Sequence, residues 1–293
     1  MDIVPLAFES LGTRGMATFV LTGGLGILID PGVDLAPMRF RLPPHHIELE
    51  RKARQWSRIR EYAKRAQILI VTHYHHDHFH EDEFELFRGK HVLLKHPTVN
   101  INFNQKQRAD VLLRRIKDIT LDIQYIDEQV FTFGSVKFQF SKPFCHGIND
   151  RSGYVVQVSI RSDTSFLHTS DVTGPALPGQ VEFILRENPN TIICDGPVSY
   201  MVGSRYDTIY LDTCIENLVT VIEKTKVHKL ILEHHLLREL DWKNKITPVF
   251  GAARGKGIQL LTAAECIGFE TDLLEARRKD LYRVFGSNPR SSP

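Results

Sequence analysis

Residues 72–78 of this chain read Thr-His-Tyr-His-His-Asp-His, and they directly follow the apolar run Gln-Ile-Leu-Ile-Val at residues 67–71. The apolar run predicts a buried strand. His73 and His75 are separated by one residue, which in extended backbone places both imidazoles on the same side. The aspartate and the last histidine then follow in a turn, where they can face a second ion. Imidazole and carboxylate ligands without sulfur suit zinc, iron or manganese in a catalytic site. The stretch therefore predicts a metal centre at a strand end.

The composition is that of an ordinary globular protein. Hydrophobic residues make up 42% of the chain and charged residues 25%, which excludes a disordered chain. Lys and Arg number 37 against 35 Asp and Glu, so the net charge of +2 does not indicate a nucleic-acid partner, although a local site for one is possible. No stretch approaches the ~20 apolar residues of a membrane span. We therefore expect a cytoplasmic protein that does not associate with a membrane.

Short apolar runs recur along the chain and predict strands. They lie at residues 26–30, 67–72, 91–95, 129–141, 154–160, 165–168, 191–194, 229–233 and 258–261. Turns within two of the longer runs predict hairpins, one around Gly134 and one near residues 161–163. Strands mixed with helices and no linker favour one α/β domain over residues 1–293, with an extension from about residue 236.

A loop and a basic helix are inserted at about residues 31–66, and the helix itself is predicted at residues 48–65. Its apolar face comprises Leu49, Ala53, Trp56, Ile59 and Ala63. The rest of the helix is rich in Arg and Lys, which is usually a solvated surface; a surface that faces phosphates is the alternative. Further helices are predicted at residues 211–223 and 271–284, and residues 287–293 are expected to form a loose tail.

Four further motifs accompany the histidine-rich stretch. They are Ile27-Leu28-Ile29-Asp30-Pro31-Gly32, Pro143-Phe144-Cys145-His146-Gly147, His168-Thr169-Ser170-Asp171 and Glu233-His234-His235. With HxHxDH at residues 73–78, this order and spacing resembles the metallo-β-lactamase superfamily. Phrases such as PLAFESLG, SDVTGP and EHHLLR also resemble a little-characterised microbial family within it. The resemblance implies an α/β fold of the αββα sandwich type, with the site along one edge.

The resemblance also implies a set of metal ligands for two divalent ions. The first ion would be held by His73, His75 and His146, and the second by Asp77, His78 and a closing histidine, with Asp171 bridging. For the closing ligand His234 is preferred over His235. Asp30 would accept a hydrogen bond from a ligand imidazole and fix its tautomer. Zinc is favoured for both ions, with iron or manganese as alternatives.

This ligand set supports a hydrolase that uses a hydroxide activated by two ions. Asp77 would orient the hydroxide, and His235 or Tyr74 would protonate the leaving group. Phosphodiester substrates are favoured, because Arg238, Arg205, Lys142 and the basic helix are candidate phosphate contacts. A lactonase or thioesterase acting on a small carbonyl substrate is the alternative, and a non-catalytic metal-binding module is the second alternative.

Several other residues near the motifs are not expected to bind metal. His168 is expected to be packed, and Cys145 to be a packed thiol rather than a nucleophile. His45 and His46 lie in a loop that could reach the mouth of the site. Asp195 ends a predicted strand and begins a loop that either contacts substrate or merely connects two elements.

Overall fold

The structure, a computed structural model, describes residues 1–286, without the side chain of Glu81. The predicted tail at residues 287–293 lies outside the described residues. The strands are β1 (Asp2–Ala7), β2 (Ala17–Thr22), β3 (Leu25–Ile29), β4 (Ile68–Val71), β5 (His91–Leu94), β6 (Asp122–Tyr125), β7 (Val130–Phe133), β8 (Val136–Phe140), β9 (Phe144–Cys145), β10 (Tyr154–Val155), β11 (Val158–Arg161), β12 (Ser165–His168), β13 (Thr191–Asp195), β14 (Lys229–Glu233) and β15 (Gln259–Leu261). The helices are α1 (His46–Ala63), α2 (Phe103–Ile116), α3 (Pro178–Glu187), α4 (Thr208–Lys224), α5 (Trp242–Lys245), α6 (Thr247–Lys256), α7 (Ala263–Cys266) and α8 (Arg278–Phe285).

Two large sheets form the centre of the molecule. The first has the order β1-β2-β3-β4-β5-β6, antiparallel from β1 to β3 and parallel from β3 to β6. The second has the order β15-β14-β13-β12-β11-β8-β7, parallel from β15 to β12 and antiparallel from there to β7. Strands β9 and β10 pair with each other as a small separate hairpin. Parallel strands carry their carboxyl ends to one edge of a sheet, so each large sheet gathers its loops there.

The side chains of the central strands alternate between two layers. In β4, Ile68 and Ile70 belong to the core between the sheets, whereas Leu69 and Val71 belong to the core beneath α1 and α2. In β13, Ile193 faces the inner core and Ile192 faces α3, α4 and α6. Both faces of each sheet are therefore buried, as expected of parallel sheets covered by helices, and the result is the expected αββα sandwich.

Helix α1 begins at His46, two residues before the predicted start, and ends at Ala63. Ile59 and Ala63 pack beneath the first sheet as expected. Leu49, in contrast, is 50% exposed, so its predicted place in the core is wrong. Glu48 occupies the buried position instead, because it accepts a hydrogen bond from the main chain of His45 and pairs with Arg278.

The segment after β14 wraps back over the start of the chain. It contains α5, α6, β15, α7 and α8, and β15 adds a parallel strand to the second sheet. The helix predicted at residues 271–284 is only partly correct, since α8 spans Arg278–Phe285 and the preceding residues form turns. Those turns bury Leu273 and Leu274. In the described part of the chain no helix is long and apolar enough to cross a membrane.

Candidate metal centre

The predicted ligands come together where the carboxyl ends of the two sheets meet. The loop after β4 carries the histidine-rich stretch, the loop after β12 carries Asp171, and the turn after β14 carries His234 and His235. His146 follows β9 of the small hairpin. A contact of 2.5 Å between the hydroxyls of Thr72 and Ser170 joins the loops of the two sheets directly. The site is therefore built from both sheets at once.

The first group of candidate ligands consists of His73, His75, His146 and Asp171, whose donor atoms all lie within 4.8 Å of one another. Oδ2 of Asp171 lies 3.7 Å from Nε2 of His73 and 4.0 Å from Nδ1 of His75. It lies 2.6 Å from Nε2 of His146. These are the four residues that the sequence assigned to the first ion and to the bridge.

The second group consists of Asp77, His78, Asp171 and His234. The same Oδ2 of Asp171 lies 3.6 Å from Nε2 of His78 and 3.4 Å from Nε2 of His234. Nε2 of His234 is also 3.8 Å from Oδ2 of Asp77. Asp171 is thus shared by both groups, which is the position expected of a bridging carboxylate.

Buried carboxylates hold the outer nitrogens of two of these histidines. Asp30 lies 2.9 Å from Nδ1 of His78 and also accepts from the main-chain NH of Thr72. Glu9 lies 2.9 Å from Nδ1 of His234. Such partners fix the tautomer of a ligating imidazole and leave Nε2 turned towards the ion. The contact of Asp30 is the one predicted from the sequence, whereas Glu9 was not predicted.

Two buried imidazole nitrogens without hydrogen-bond partners are suited to binding metal ions. Nε2 of His73 and Nε2 of His78 are buried and have no hydrogen-bond partner among the described residues. Their distances to Asp171 are too long for hydrogen bonds but suit atoms that share an ion. Burial, together with the neighbouring His78, lowers the pKa of His73 well below its usual value, which favours the neutral imidazole that a metal ligand requires. Against the effect of burial, the contacts with Asp171 and Asp30 raise the pKa of His78 to about 10, so His78 must give up a proton to bind an ion.

His235 occupies a different position from His234. Its Nδ1 lies 3.1 Å from Oδ2 of Asp195 and 3.2 Å from Oδ1 of Asp171. His235 is 7% exposed, and Asp195 is fully buried at the end of β13. The loop that begins at Asp195 thus belongs to the site through this carboxylate. The turn at His234, with a φ of 58°, is a strained left-handed conformation that sends the two histidines to different carboxylates.

Cationic side chains surround the site. Arg238 is buried, with Nε 2.9 Å from Glu9 and Nη2 3.1 Å from Nε2 of His234. A pocket of about 400 Å³ opens beside His75 and Asp77. The pocket is also lined by Arg14, Arg108, Arg151, Asn102 and Asn104. We call it the catalytic pocket. Its lining is mostly polar, with three arginines against the two carboxylates of Asp34 and Asp77, and this excess of positive charge suits an anionic ligand.

Other predicted site residues lie elsewhere. The hydroxyl of Tyr74 is fully buried and donates to the carbonyl of Lys95, so the suggestion that Tyr74 protonates a leaving group is wrong. Lys142 lies beside Phe144 in a cleft with Glu182 and not at the site. In the described part of the chain, no contact joins Arg205 to the candidate ligands. Helix α1 also lines a different groove, described below.

His168 and His45 are fully buried, whereas Cys145 is only half-buried. His168 is fully buried, with Nε2 donating to Met16 and Nδ1 accepting from Ser170, and burial lowers its pKa to about 4. His45 caps α1 and contacts Tyr282 rather than the mouth of the site. Burial raises the pKa of the Cys145 thiol, which argues against a thiolate nucleophile.

Residues that the sequence reasoning missed are mostly those that support the ligands. Gln105 on α2 is fully buried, and its Nε2 lies 3.4 Å from Nε2 of His75 and 2.8 Å from the carbonyl of Ser152. Glu9 lies in the phrase PLAFESLG, which the sequence reasoning did not relate to the metal centre, and Arg14 belongs to no recognisable motif. The sequence contains a helix signal only for α2. There Ala109, Leu112 and Ile116 lie on one helix face, and Asn102 is the N-cap residue.

Comparison with known proteins agrees with this architecture. Residues 12–185 match the model of the metallo-β-lactamase superfamily, and the chain belongs to that superfamily. Within it, the chain belongs to the UPF0282 family: it is 43% identical over 287 residues to a UPF0282 protein of Korarchaeum cryptofilum, covering 97% of this chain and 95% of the relative. Both the expected superfamily and the expected fold are thereby confirmed.

Solved structures resemble the chain in fold. Isothiocyanate hydrolase from Delia radicum gut bacteria aligns with a TM-score of 0.56 at 14% identity, covering 89% of this chain and 95% of that one. Unliganded yeast PDE1 aligns with a TM-score of 0.54 at 12% identity, covering 89% of this chain and 96% of that one. At such identities the similarity concerns the fold alone.

Proposed function

We propose that this protein is a hydrolase that depends on two divalent metal ions and cleaves phosphodiesters. The observation that carries the proposal is the catalytic pocket, in which three arginines surround the entrance to His75 and Asp77. A pocket for a neutral lactone or thioester needs apolar lining, whereas arginine forks match the oxygens of a phosphate. Membership of a superfamily of metal-dependent hydrolases supports the coarser part of the proposal.

The ligand set of the proposal is the one predicted from the sequence. His73, His75 and His146 would hold one ion, Asp77, His78 and His234 the other, and Asp171 both. Zinc is our preferred metal, because the ligands are nitrogen and oxygen. Two ions held there supply a nucleophilic hydroxide at neutral pH and neutralise the charge that develops on the substrate.

The side chains of this chain have three tasks in the reaction. Arg14, Arg108 and Arg151 bind the anionic oxygens of the substrate in the catalytic pocket. Asp77, whose carboxylate lines the same pocket, orients the attacking group.

Protonation of the leaving group is assigned to His235. Asp195 accepts from Nδ1 of His235, which holds the ring in one orientation. The protonated ring can then deliver a proton from Nε2 to the departing oxygen. Because Asp195 and His235 are both buried, this orientation persists without help from solvent.

The experiment is metal analysis by mass spectrometry on the purified full chain, together with hydrolysis of bis(p-nitrophenyl) phosphate, a lactone and a thioester. We expect two ions per chain and metal-dependent cleavage of the diester. Asp171→Asn removes the shared ligand, so it should lose bound metal and at least about 100-fold of activity, because even outer partners of metal ligands are worth about 10–100-fold. Asp163→Asn, in the exposed turn between β11 and β12, is the matched control.

Each other outcome selects a different function. Cleavage of the lactone or thioester but not of the diester would make the protein a hydrolase of carbonyl substrates. Two bound ions without hydrolysis of any substrate would favour a metal-binding module. If the protein takes up no metal after reconstitution, the proposal is wrong as a whole.

A further inference from the structure

A large groove lies apart from the catalytic pocket. It has a volume of about 1060 Å³ and runs between α1 and the segment after β14. Arg51, Arg54 and Arg58 form one wall. We call it the α1 groove. This wall is the basic face of α1. In the sequence analysis, a surface that faces phosphates was the alternative interpretation of this face.

The three arginines are arranged regularly. They occupy positions i, i+3 and i+7 of α1, so they share one helix face over a length of about 10 Å. Their guanidinium groups therefore form a linear row rather than a cluster. A row of positive charges matches a chain of phosphates better than it matches a single compact anion.

The charges of the groove are unbalanced. Five cationic side chains line it against two carboxylates. Asp272 pairs with both Arg51 and Arg277, at 2.8 Å and 2.6 Å. Within residues 1–286 the structure gives Arg54 and Arg58 no carboxylate partner. Positive charge in excess of local carboxylates indicates an anionic partner.

The opposite wall of the groove offers apolar contacts. Phe269 is 62% exposed and Leu240 is 59% exposed, although both are large apolar residues. Both line the α1 groove together with the arginines. An exposed aromatic ring beside guanidinium groups is the combination that binds single-stranded nucleic acid, because bases stack on the ring while phosphates contact the cations.

The α1 groove and the catalytic pocket are lined by residues that lie close together along the chain. Leu11 lines the groove and Arg14 lines the pocket. Two residues lie between them, so their Cα atoms are at most about 11 Å apart. This is the length of about three stacked nucleotides. Gln55 of α1 fixes the segment by donating to the carbonyl of Leu11 and contacting Thr13.

We infer that the α1 groove binds single-stranded nucleic acid and directs it to the catalytic pocket. The phosphates contact Arg54 and Arg58, and a base stacks on Phe269. The inference makes the substrate class of the proposed function a nucleic-acid strand, and to that extent it rests on the proposed function. Binding in the groove is nevertheless independent of hydrolysis, because no metal ligand lines it.

The test is fluorescence anisotropy with a labelled phosphorothioate DNA strand, which resists cleavage, of about 16 nucleotides. The full chain is compared with the double variant Arg54→Glu/Arg58→Glu over a salt series. We expect binding to weaken at least about 10-fold and the salt slope to fall by about 1.4, since each phosphate contact of a single strand contributes about 0.7. Arg114→Glu on the exposed face of α2 reverses one charge outside the groove; as the control it should bind within about twofold of the parent, because a remote charge is largely screened.

Phe269→Ala provides a second, uncharged probe. It should weaken binding about 10-fold through the lost stacking and leave the salt slope unchanged. Melting temperatures of all variants establish that they are folded. Equal affinities of the groove variants and Arg114→Glu would overturn the inference. So would poly-glutamate binding as tightly as the strand, which would make the groove a site for acidic peptides. Groove binding without diester hydrolysis would contradict the proposed function alone.

Discussion

His235 is the residue whose position most directly limits the chemistry. It lies against Asp195 and Asp171, while the adjacent His234 belongs to the second group of candidate ligands. Both histidines therefore lie at the site, and the preference for His234 concerned which of the two binds the second ion. The sequence could not separate them, because a left-handed φ at His234 decides which side chain faces which carboxylate.

The role of His235 is tested by the choice of leaving group. In His235→Ala, hydrolysis of a diester with an alkoxide leaving group should fall about 10²–10⁴-fold, the range for loss of a general acid. Hydrolysis of bis(p-nitrophenyl) phosphate should change much less, because p-nitrophenolate departs without a proton. Steady-state rates on both substrates, with metal content measured in parallel, make the comparison. A similar loss on both substrates, or a loss of metal, would contradict the role of proton donor.

Among the elements, α1 and α8 are joined by a buried ion pair. The guanidinium of Arg278 donates to both oxygens of Glu48 and to the carbonyl of Leu42, and both charged side chains are completely buried. Glu48 in turn holds the first turn of α1. The pair therefore ties the inserted helix to the end of the described chain.

Removal of one partner leaves the other charge buried and unpaired. We expect Arg278→Met to lower the free energy of unfolding by about 3–5 kcal/mol. The double variant Glu48→Gln/Arg278→Met should recover part of the loss, because no bare charge is left. Urea denaturation measures both. Arg88→Met, which breaks the exposed pair with Glu85, is the control and should leave the midpoint unchanged. Equal midpoints for Arg278→Met and the control would show that the buried pair is not needed.

Most strands were predictable, and the failures have physical reasons. The parallel strands near the site are continuous apolar runs such as Ile68–Val71, because both of their faces are buried. Strand β1 was missed because it is an edge strand that contains Pro5, a residue that usually argues against a strand. The prediction that Leu49 lies in the core was wrong. Hydrophobic periodicity does not show that Glu48, through its buried ion pair, takes the buried position in that turn of α1.

The ligand motifs could likewise be located from sequence, but their supports could not. HxHxDH is a local pattern, so it is visible without a fold. Glu9, Arg14 and Gln105 act through contacts that span 30 to 261 residues in sequence, and no local pattern marks them. The same holds for the catalytic pocket, whose arginines replace Lys142 and Arg205 as the candidate phosphate contacts.

At the scale of the whole molecule, the C-terminal segment holds the N-terminal one through Glu275. Its carboxylate accepts from Arg14 at 2.7 Å and 2.8 Å, and Arg39 lies 3.8 Å away. Burial opposes ionisation, but the bond from Arg14 prevails and lowers the pKa of Glu275 to about 2. Glu275 thereby positions one of the arginines of the catalytic pocket.

This lowered pKa makes stability depend on pH. The unfolded carboxyl titrates near 4.5, so the stabilisation is complete above that pH and is lost as pH falls towards 2. It amounts to up to about 3 kcal/mol. Unfolding free energies of Glu275→Gln and the parent at pH 7 and pH 3 should differ more at pH 7. A constant difference across this range would show that Glu275 is not held ionised by the fold.

The contact between Glu9 and His234 spans 225 residues, and this has a consequence for synthesis on the ribosome. The histidine-rich stretch emerges early, but β12, which leads to Asp171, pairs with β13, which is made later. The second group of candidate ligands is incomplete until His234 has left the exit tunnel. Domains with such long-range contacts assemble late. The nascent chain therefore displays several exposed histidines for most of its synthesis, and selective metal capture is expected only after nearly the whole chain is free.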